Sequence, residues 1–394
     1  MKITNRDINA EDNSFKILSL MLSTNAIFTG PSIFITYGMM HGILFGIAVI
    51  FAFVLSYLSI TFLVKYSKKD IKPLGLDRGF KMYYLVYSFT QFFMIGLGGG
   101  IITSIILQIP LIVGIGSFFI LAYFYAYINR LPHFRHQLKL AALFLVTTYL
   151  LLFTYITEDV KGIYSGIRLY HPYLLYVDWN DFFIFTLAVC IIFMSKVFTS
   201  HTYINQVVEK KISFKTALLI GASWASLSIS FIVISFSVIY KGGFESTYTI
   251  FSELFFRIDN TFLTIIAAIL LFTLTDTFRM EAEHLEDLGF NRKKYIALFL
   301  PIIIVLVLIN ENWSHLHYLF FLFGIWSTAF LPVLTANLFK QKAEKPIGIK
   351  IGLISALAGY SSFIWLEFTN VVLFTFAVSV VLVLVMHKKY KGLS

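Results

Sequence analysis

The sequence predicts an all-α integral membrane protein of about twelve transmembrane helices, on three observations. Of its residues, 58% are hydrophobic and only 13% are charged, with a mean hydropathy of +0.81. A soluble domain holds about 45–50% apolar and about 25% charged residues. The surplus falls in long unbroken blocks rather than at amphipathic spacing, as expected where lipid replaces water as the solvent. The 43 Phe and 22 Tyr suit lipid-facing surfaces and interfacial belts.

The predicted spans are 16–40, 43–65, 83–107, 110–129, 138–156, 182–206, 214–240, 261–284, 295–310, 317–339, 347–366 and 369–387. With the N-terminus placed in the cytoplasm, the inner connections are 65–81 (Lys68, Lys69, Lys72, Arg78), 130–139, 209–215, 279–294, 340–350 and the tail 387–394, all rich in Lys and Arg. The outer connections carry only Lys161, Arg168, Lys241 and Arg257, mixed with acids. Basic charge thus alternates across every loop, and one helix too many or too few would invert the pattern. Both termini are expected inside, in a multi-pass protein of the cell membrane. Two outer connections, 157–181 and 242–260, are long and aromatic (Tyr164, Tyr170, Trp179; Phe244, Phe251, Phe255). They are expected to lie in the interface as short helices, either as anchors or as outer lids.

The formal charge of +10 does not indicate nucleic acid, because no stretch is both basic and free of membrane spans. Cys190 is the lone cysteine, so no intrachain disulfide or multi-cysteine metal site can form. No cleavable signal peptide is visible, and the first apolar block serves as its own insertion signal. No phosphate-binding loop and no HExxH motif is present, and no nucleophile–base order stands out, so neither ATP-driven pumping nor an enzyme is expected. The histidines, among them His133, His136, His284 and His317, read mostly as loop residues. Gly96, Gly98, Gly99 and Gly100 read as a small-residue surface for close helix packing.

Three segments could carry chemistry. In the first span, Ser23 to Ser32 sets Gly30-Pro31 among hydroxyls near mid-membrane, and Pro31 removes a ladder hydrogen bond. Broken backbone at that depth is tolerated only where it is buried or lines a cavity; the alternative is a proline kink with no site. In the sixth span, Lys196 lies near the bilayer centre, followed by Thr199, Ser200 and His201. A lysine there costs a few kcal/mol and should face the bundle interior with a partner, unless its long stem snorkels to the surface. In the eighth span, Thr273, Asp276, Thr277 and Met280 form a stripe. Asp276 is expected either to pair with Lys196, to titrate as a proton or cation ligand, or to pair locally with Arg279.

Several stretches together resemble the sodium:solute symporter family of proline and sugar symporters: TGPSIFITYG (Thr29 to Gly38), HTYINQVVEKKISFKTALLIG (His201 to Gly221), LTDTFRMEAEHLEDLGF (Leu274 to Phe290) and LPVLTANLFKQKAEKPIGIKIGLISALAG (Leu331 to Gly359). The resemblance implies the five-plus-five inverted-repeat fold of the leucine transporter. Helices 1–5 (16–156) would repeat as 6–10 (182–340), with discontinuous helices 1 and 6 and two appended helices (341–387). Residues 1–15 and 388–394 would be cytoplasmic tails, the chain starting at core helix 1 without the extra helix that family members usually carry. The family's sodium site would use carbonyls near Asn25 and Phe28 and hydroxyls of helix 8. Its Ser-Thr pair falls near Phe272-Thr273, which leaves one hydroxyl, and Ile27 stands where some members carry an acid. In this fold class a membrane lysine can stand in for a bound cation, which keeps proton coupling or uncoupled exchange open.

The expected function is symport of a small organic solute coupled to sodium or protons, with no cofactor and no metal beyond a sodium ion. Thr29, Gly30, Ser32, Lys196 and Thr199 would hold the solute; Asn25, Phe28, Thr273 and Asp276 would hold the cation. A charged Lys196 suits a carboxylate such as an amino acid. The alternative is a transporter-like sensor or scaffold that binds a solute or partner protein without moving it. A channel has little to support it, since no filter-like repeat is present.

Overall fold

The computed structural model describes residues 14–67, 78–128, 135–157, 159–176, 179–242, 246–258, 260–309, 315–338 and 348–391. Much of the inner connections 65–81, 130–139 (His133 included) and 340–350 lies outside the described residues. Backbone polar groups in hydrocarbon must be satisfied within the segment that carries them, and every regular element described is a helix: α1 (Ser14–Met21), α2 (Asn25–Tyr37), α3 (Met39–Ser67), α4 (Arg78–Leu107), α5 (Leu111–Ile128), α6 (Arg135–Thr157), α7 (Val160–Tyr170), a 3-10 turn Pro172–Leu175, α8 (Trp179–Thr199), α9 (His201–Val208), α10 (Phe214–Ile239), α11 (Thr247–Phe256), α12 (Asn260–Asp287), α13 (Arg292–Ile309), α14 (Leu316–Leu338), α15 (Lys350–Ser362) and α16 (Phe368–Lys391). Each predicted span falls on one of these helices or on a pair.

Among the described residues, eight helices are long and apolar enough to cross a membrane, and nine if α1 and α2 form one bent span. The chain is therefore a multi-pass membrane protein. Of the other predicted spans, α5 is shorter, α13 opens on Arg292-Lys293-Lys294 and α15 has 13 residues.

The first span is broken, but not where Gly30-Pro31 predicts. Pro31 sits in the first turn of a regular helix running from Gly30 to Tyr37, where a missing N–H costs nothing. The break lies one to two turns earlier: α1 and α2 meet at 58°, and α2 begins as a π-helical turn, Asn25–Thr29. The carbonyls stranded at the end of α1 find partners on other helices. Leu22 N–H closes back on Leu18 O at 2.9 Å, Trp224 Nε1 of α10 donates to Met21 O at 3.0 Å, and Thr277 Oγ1 of α12 donates to Leu22 O at 2.9 Å. The sixth span breaks at Ser200, which is extended and caps α9 by accepting from Tyr203 N–H.

Packing around the break follows the small residues of α4. A side chain at Gly98 would collide with Thr24, and one at Gly99 with the ring of Phe118 on α5. The space left by Gly98 lets Thr24 Oγ1 donate to Met94 O at 2.7 Å. The long connections form short helices as expected. α11 opens on a Ser246–Thr249 capping box, which satisfies N–H groups at a helix end. Its Phe251 turns inward onto Phe28 at 4.5 Å between ring centroids, so α11 covers the α2 half of the broken span. Gly38, at φ +95°, makes the turn from α2 into α3, a backbone region open to glycine.

Candidate functional site

Lys196 lies on the last turn of α8 before the Ser200 break. It is buried at 7% exposure, so its stem does not snorkel to the surface. Its ammonium turns to the other break and donates to Ser23 Oγ at 3.5 Å. Two narrow cavities meet at this side chain. The upper one, about 30 Å³, takes its polar lining from Asn25 of α2, Tyr87, Thr90 and Gln91 of α4, Lys196, and Ser327 of α14. Its apolar walls are Met94, Phe193, Phe320 and Phe323. The lower one, about 20 Å³, is lined by Leu20, Met21, Tyr87, Lys196, Thr199, Ser200, Glu281 and His284. Each has room for about one or two waters, so a solute requires the helices to part.

A second polar centre lies where α1, α6 and α12 meet. The Lys139 ammonium, fully buried, donates to Ser19 O at 3.0 Å, Thr277 Oγ1 at 2.9 Å and Asp276 Oδ2 at 3.3 Å. Arg279 lies 3.4 Å from the other carboxylate oxygen of Asp276 and also pairs with Glu283. His136 Nδ1, one turn before Lys139, lies 3.3 Å from Ser19 Oγ. Two ammonium or guanidinium groups thus meet two carboxylates, which is what burying charge at this depth requires.

The predicted site residues divide. Asn25, Lys196 and Thr199 border the cavities; Thr199 Oγ1 also donates to Ser195 O and shares a 2.7 Å hydrogen bond with Tyr83. Thr29 donates to Asn25 Oδ1 at 3.1 Å. Gly30 packs against Ser228 and Ile232 of α10. Ser32 faces α14, with its hydroxyl 2.9 Å from His317 Nδ1. Phe28 is a buried ring against α11. Thr273 returns its hydroxyl to Ile269 O in its own helix. Asp276 does not reach Lys196: its oxygens go to Lys139 and Arg279, so the local Arg279 pair is present alongside a partner that the sequence reading did not supply. His136 and His317, read as loop residues, are buried helix residues at 6% and 0% exposure.

Two buried residues were missed, Lys139 and Glu281. Lys139 reads as the end of a basic loop, yet His136, Lys139, Leu143, Val146 and Leu150 form one buried helical stripe, a periodicity that could have placed it inside. Glu281 falls in the sequence-predicted inner connection 279–294, but it continues the Thr273–Thr277 face of α12 one turn further. Among the described residues no group of three or more His, Cys, Asp or Glu could hold a metal ion.

No family model and no curated protein matches this chain. Solved structures do. A Na+-coupled sialic acid symporter, in its substrate-bound outward-open state, superposes with a TM-score of 0.64 at 13% identity, over 94% of this chain and 88% of that one. MhsT in complex with L-phenylalanine gives 0.51 at 13%, over 93% and 98%. A manganese transporter of Eremococcus coleocola, in complex with an aromatic bis-isothiourea compound, gives 0.50 at 12%, over 96% and 92%. At these identities the likeness is one of fold: the chain has the leucine-transporter type of fold that these proteins share.

Proposed function

We propose that this protein is a secondary transporter of the sodium:solute symporter type. It would move a small organic solute bearing a carboxylate between broken spans α1–α2 and α8–α9, driven by protons. The observation that carries this reading is the buried Lys196, set between two interrupted helices and bordered by two polar cavities, in a fold shared with solute carriers. Interrupted helices expose backbone and polar groups to a solute at mid-membrane, and rocking of one bundle against the other gives alternating access. On this reading 16–156 and 182–340 are the inverted repeats, 341–387 adds two crossings to make twelve, and both tails face the cytoplasm of the cell membrane. Lys196 would hold the carboxylate, with Asn25 and Thr199 beside it. Thr29, Gly30 and Ser32 would hold α2 in place.

The reading of the coupling ion rests on the second centre. A carbonyl of helix 1 and a hydroxyl of helix 8 are the kinds of ligand that the sodium site would use, together with Asn25, Phe28, Thr273 and Asp276. Here Ser19 O and Thr277 Oγ1 surround Lys139, whose ammonium would stand where the sodium ion would sit. Sodium coupling is the second reading, favoured by the Na+-coupled symporter among the structural neighbours. Reconstituted protein, offered labelled amino acids and carboxylic acids, should exchange at least one solute in counterflow. An inward proton gradient should drive its accumulation, and sodium should leave it unchanged. Sodium-driven uptake would replace the proton reading. No exchange across the panel by monodisperse protein would instead favour a sensor or scaffold.

A further inference from the structure

The upper cavity has one charged lining residue, Lys196; the other polar groups are the neutral Asn25, Tyr87, Thr90, Gln91 and Ser327. A solute amine would find no carboxylate there. On the opposite side of Lys196, Glu281 lines the lower cavity. It is buried at 4% exposure, and its Oε2 meets no hydrogen-bond donor. Lys196 and Glu281 line this same cavity, close enough for each charge to act on the other, while the Lys196 ammonium donates to Ser23. The other groups facing Glu281 are uncharged or weakly basic: Tyr87 from α4, and His284 one turn below on α12, while α1 brings the apolar Leu20 and Met21. A buried carboxylate with an orphan oxygen is stable only while its charge is balanced or a proton fills the vacancy.

Resting on the transporter reading above, we propose that the solute is a monoanionic carboxylate rather than a zwitterion, and that Glu281 takes up the coupling proton, one for each solute bound at Lys196. The charges balance. With the site empty, the Lys196 ammonium and the Glu281 carboxylate sum to zero. When a solute carboxylate engages Lys196, Glu281 loses its counter-charge and takes a proton from water in the lower cavity. The loaded site holds one ammonium, one solute carboxylate and one neutral Glu281 carboxylic acid, again summing to zero. On release of the solute, the proton leaves Glu281. Solute and proton cross together, and the cycle moves no net charge.

The test uses the full chain in proteoliposomes with the membrane potential clamped. The labelled monoanions are L-lactate, pyruvate and sialic acid; the labelled zwitterions are L-alanine and L-phenylalanine. The wild type should exchange a monoanion and not a zwitterion, and should accumulate it about ten-fold per unit of inward pH difference, the limit for one proton per solute. Glu281→Gln, which fixes the neutral form, should keep counterflow and accumulate nothing. Glu281→Asp, which restores a titratable group, should regain the gradient response and shows that loss in the Gln variant is not misfolding. Preference for a zwitterion, or a gradient response in Glu281→Gln equal to that of the wild type, would overturn the proposal. Absence of exchange of every probe sinks the transporter reading itself.

Discussion

Lys139 and Lys196 are the same residue type put to two uses by their surroundings. Lys139 has three oxygen partners within 3.3 Å, so it ties α6 to α1 and α12. Removing one member of a buried ion pair leaves the other uncompensated, at a cost of about 3–5 kcal/mol. Lys139→Met should therefore lower the midpoint of thermal unfolding in detergent sharply. Lys139→Met with Asp276→Asn should recover part of the loss, because the stranded carboxylate is gone. Equal losses in both variants would show that the pair is not the tie. Lys196 has a single long hydrogen bond and two cavities beside it, so Lys196→Met should abolish solute exchange and lower the unfolding midpoint less than Lys139→Met does, because Glu281 can answer the loss by taking a proton. A collapse of folding instead would make Lys196 a structural residue.

Helix 1 stays broken because other helices hold its halves apart. Trp224, Thr277 and Lys139 each satisfy a carbonyl that an unbroken helix would keep for itself, and Thr24 is held by Met94 O across the space that Gly98 leaves. Gly98→Leu would put a branched side chain where Thr24 stands. Overpacking costs about 1–3 kcal/mol, and it should lower the yield of monodisperse protein. Thr24→Val, which keeps the shape and loses one hydrogen bond, should cost about 1 kcal/mol in the same unfolding assay. At the other end of α2, the Ser32–His317 contact joins it to α14. Breaking it with Ser32→Ala should speed counterflow if parting of α2 and α14 is the slow step, and an unchanged rate would place that step elsewhere.

At the scale of the whole molecule, the two polar centres stand on either side of α1. One is saturated with partners; the other is spare. Rocking about the breaks would therefore change contacts at Lys196 before those at Lys139. Orientation is checked with Cys190→Ser as background, which removes the lone thiol. A cysteine at Tyr164 in α7 should react with an impermeant maleimide on intact cells, and one at Lys211, after α9, only on permeabilised cells. The reverse pattern would put the termini outside and invert every loop assignment.

The sequence by itself determined the solvent of this chain, the helical segments and the two spans that break. Apolar block length, loop charge and the Lys196 stretch are local properties, and lipid allows few responses to them. The tertiary structure decided where the first span breaks and which charges meet. Pro31 marks a site that can tolerate the loss of an N–H, but the break lies at Leu22 to Thr24 because side chains from α6, α10 and α12 satisfy the backbone there and the Met94 carbonyl of α4 holds Thr24. Asp276 pairs with Lys139 and Arg279, and Glu281 faces Lys196, because a buried charge takes the partner that packing brings nearest. That partner lies up to 137 positions away in the chain, and no spacing in the sequence specifies it.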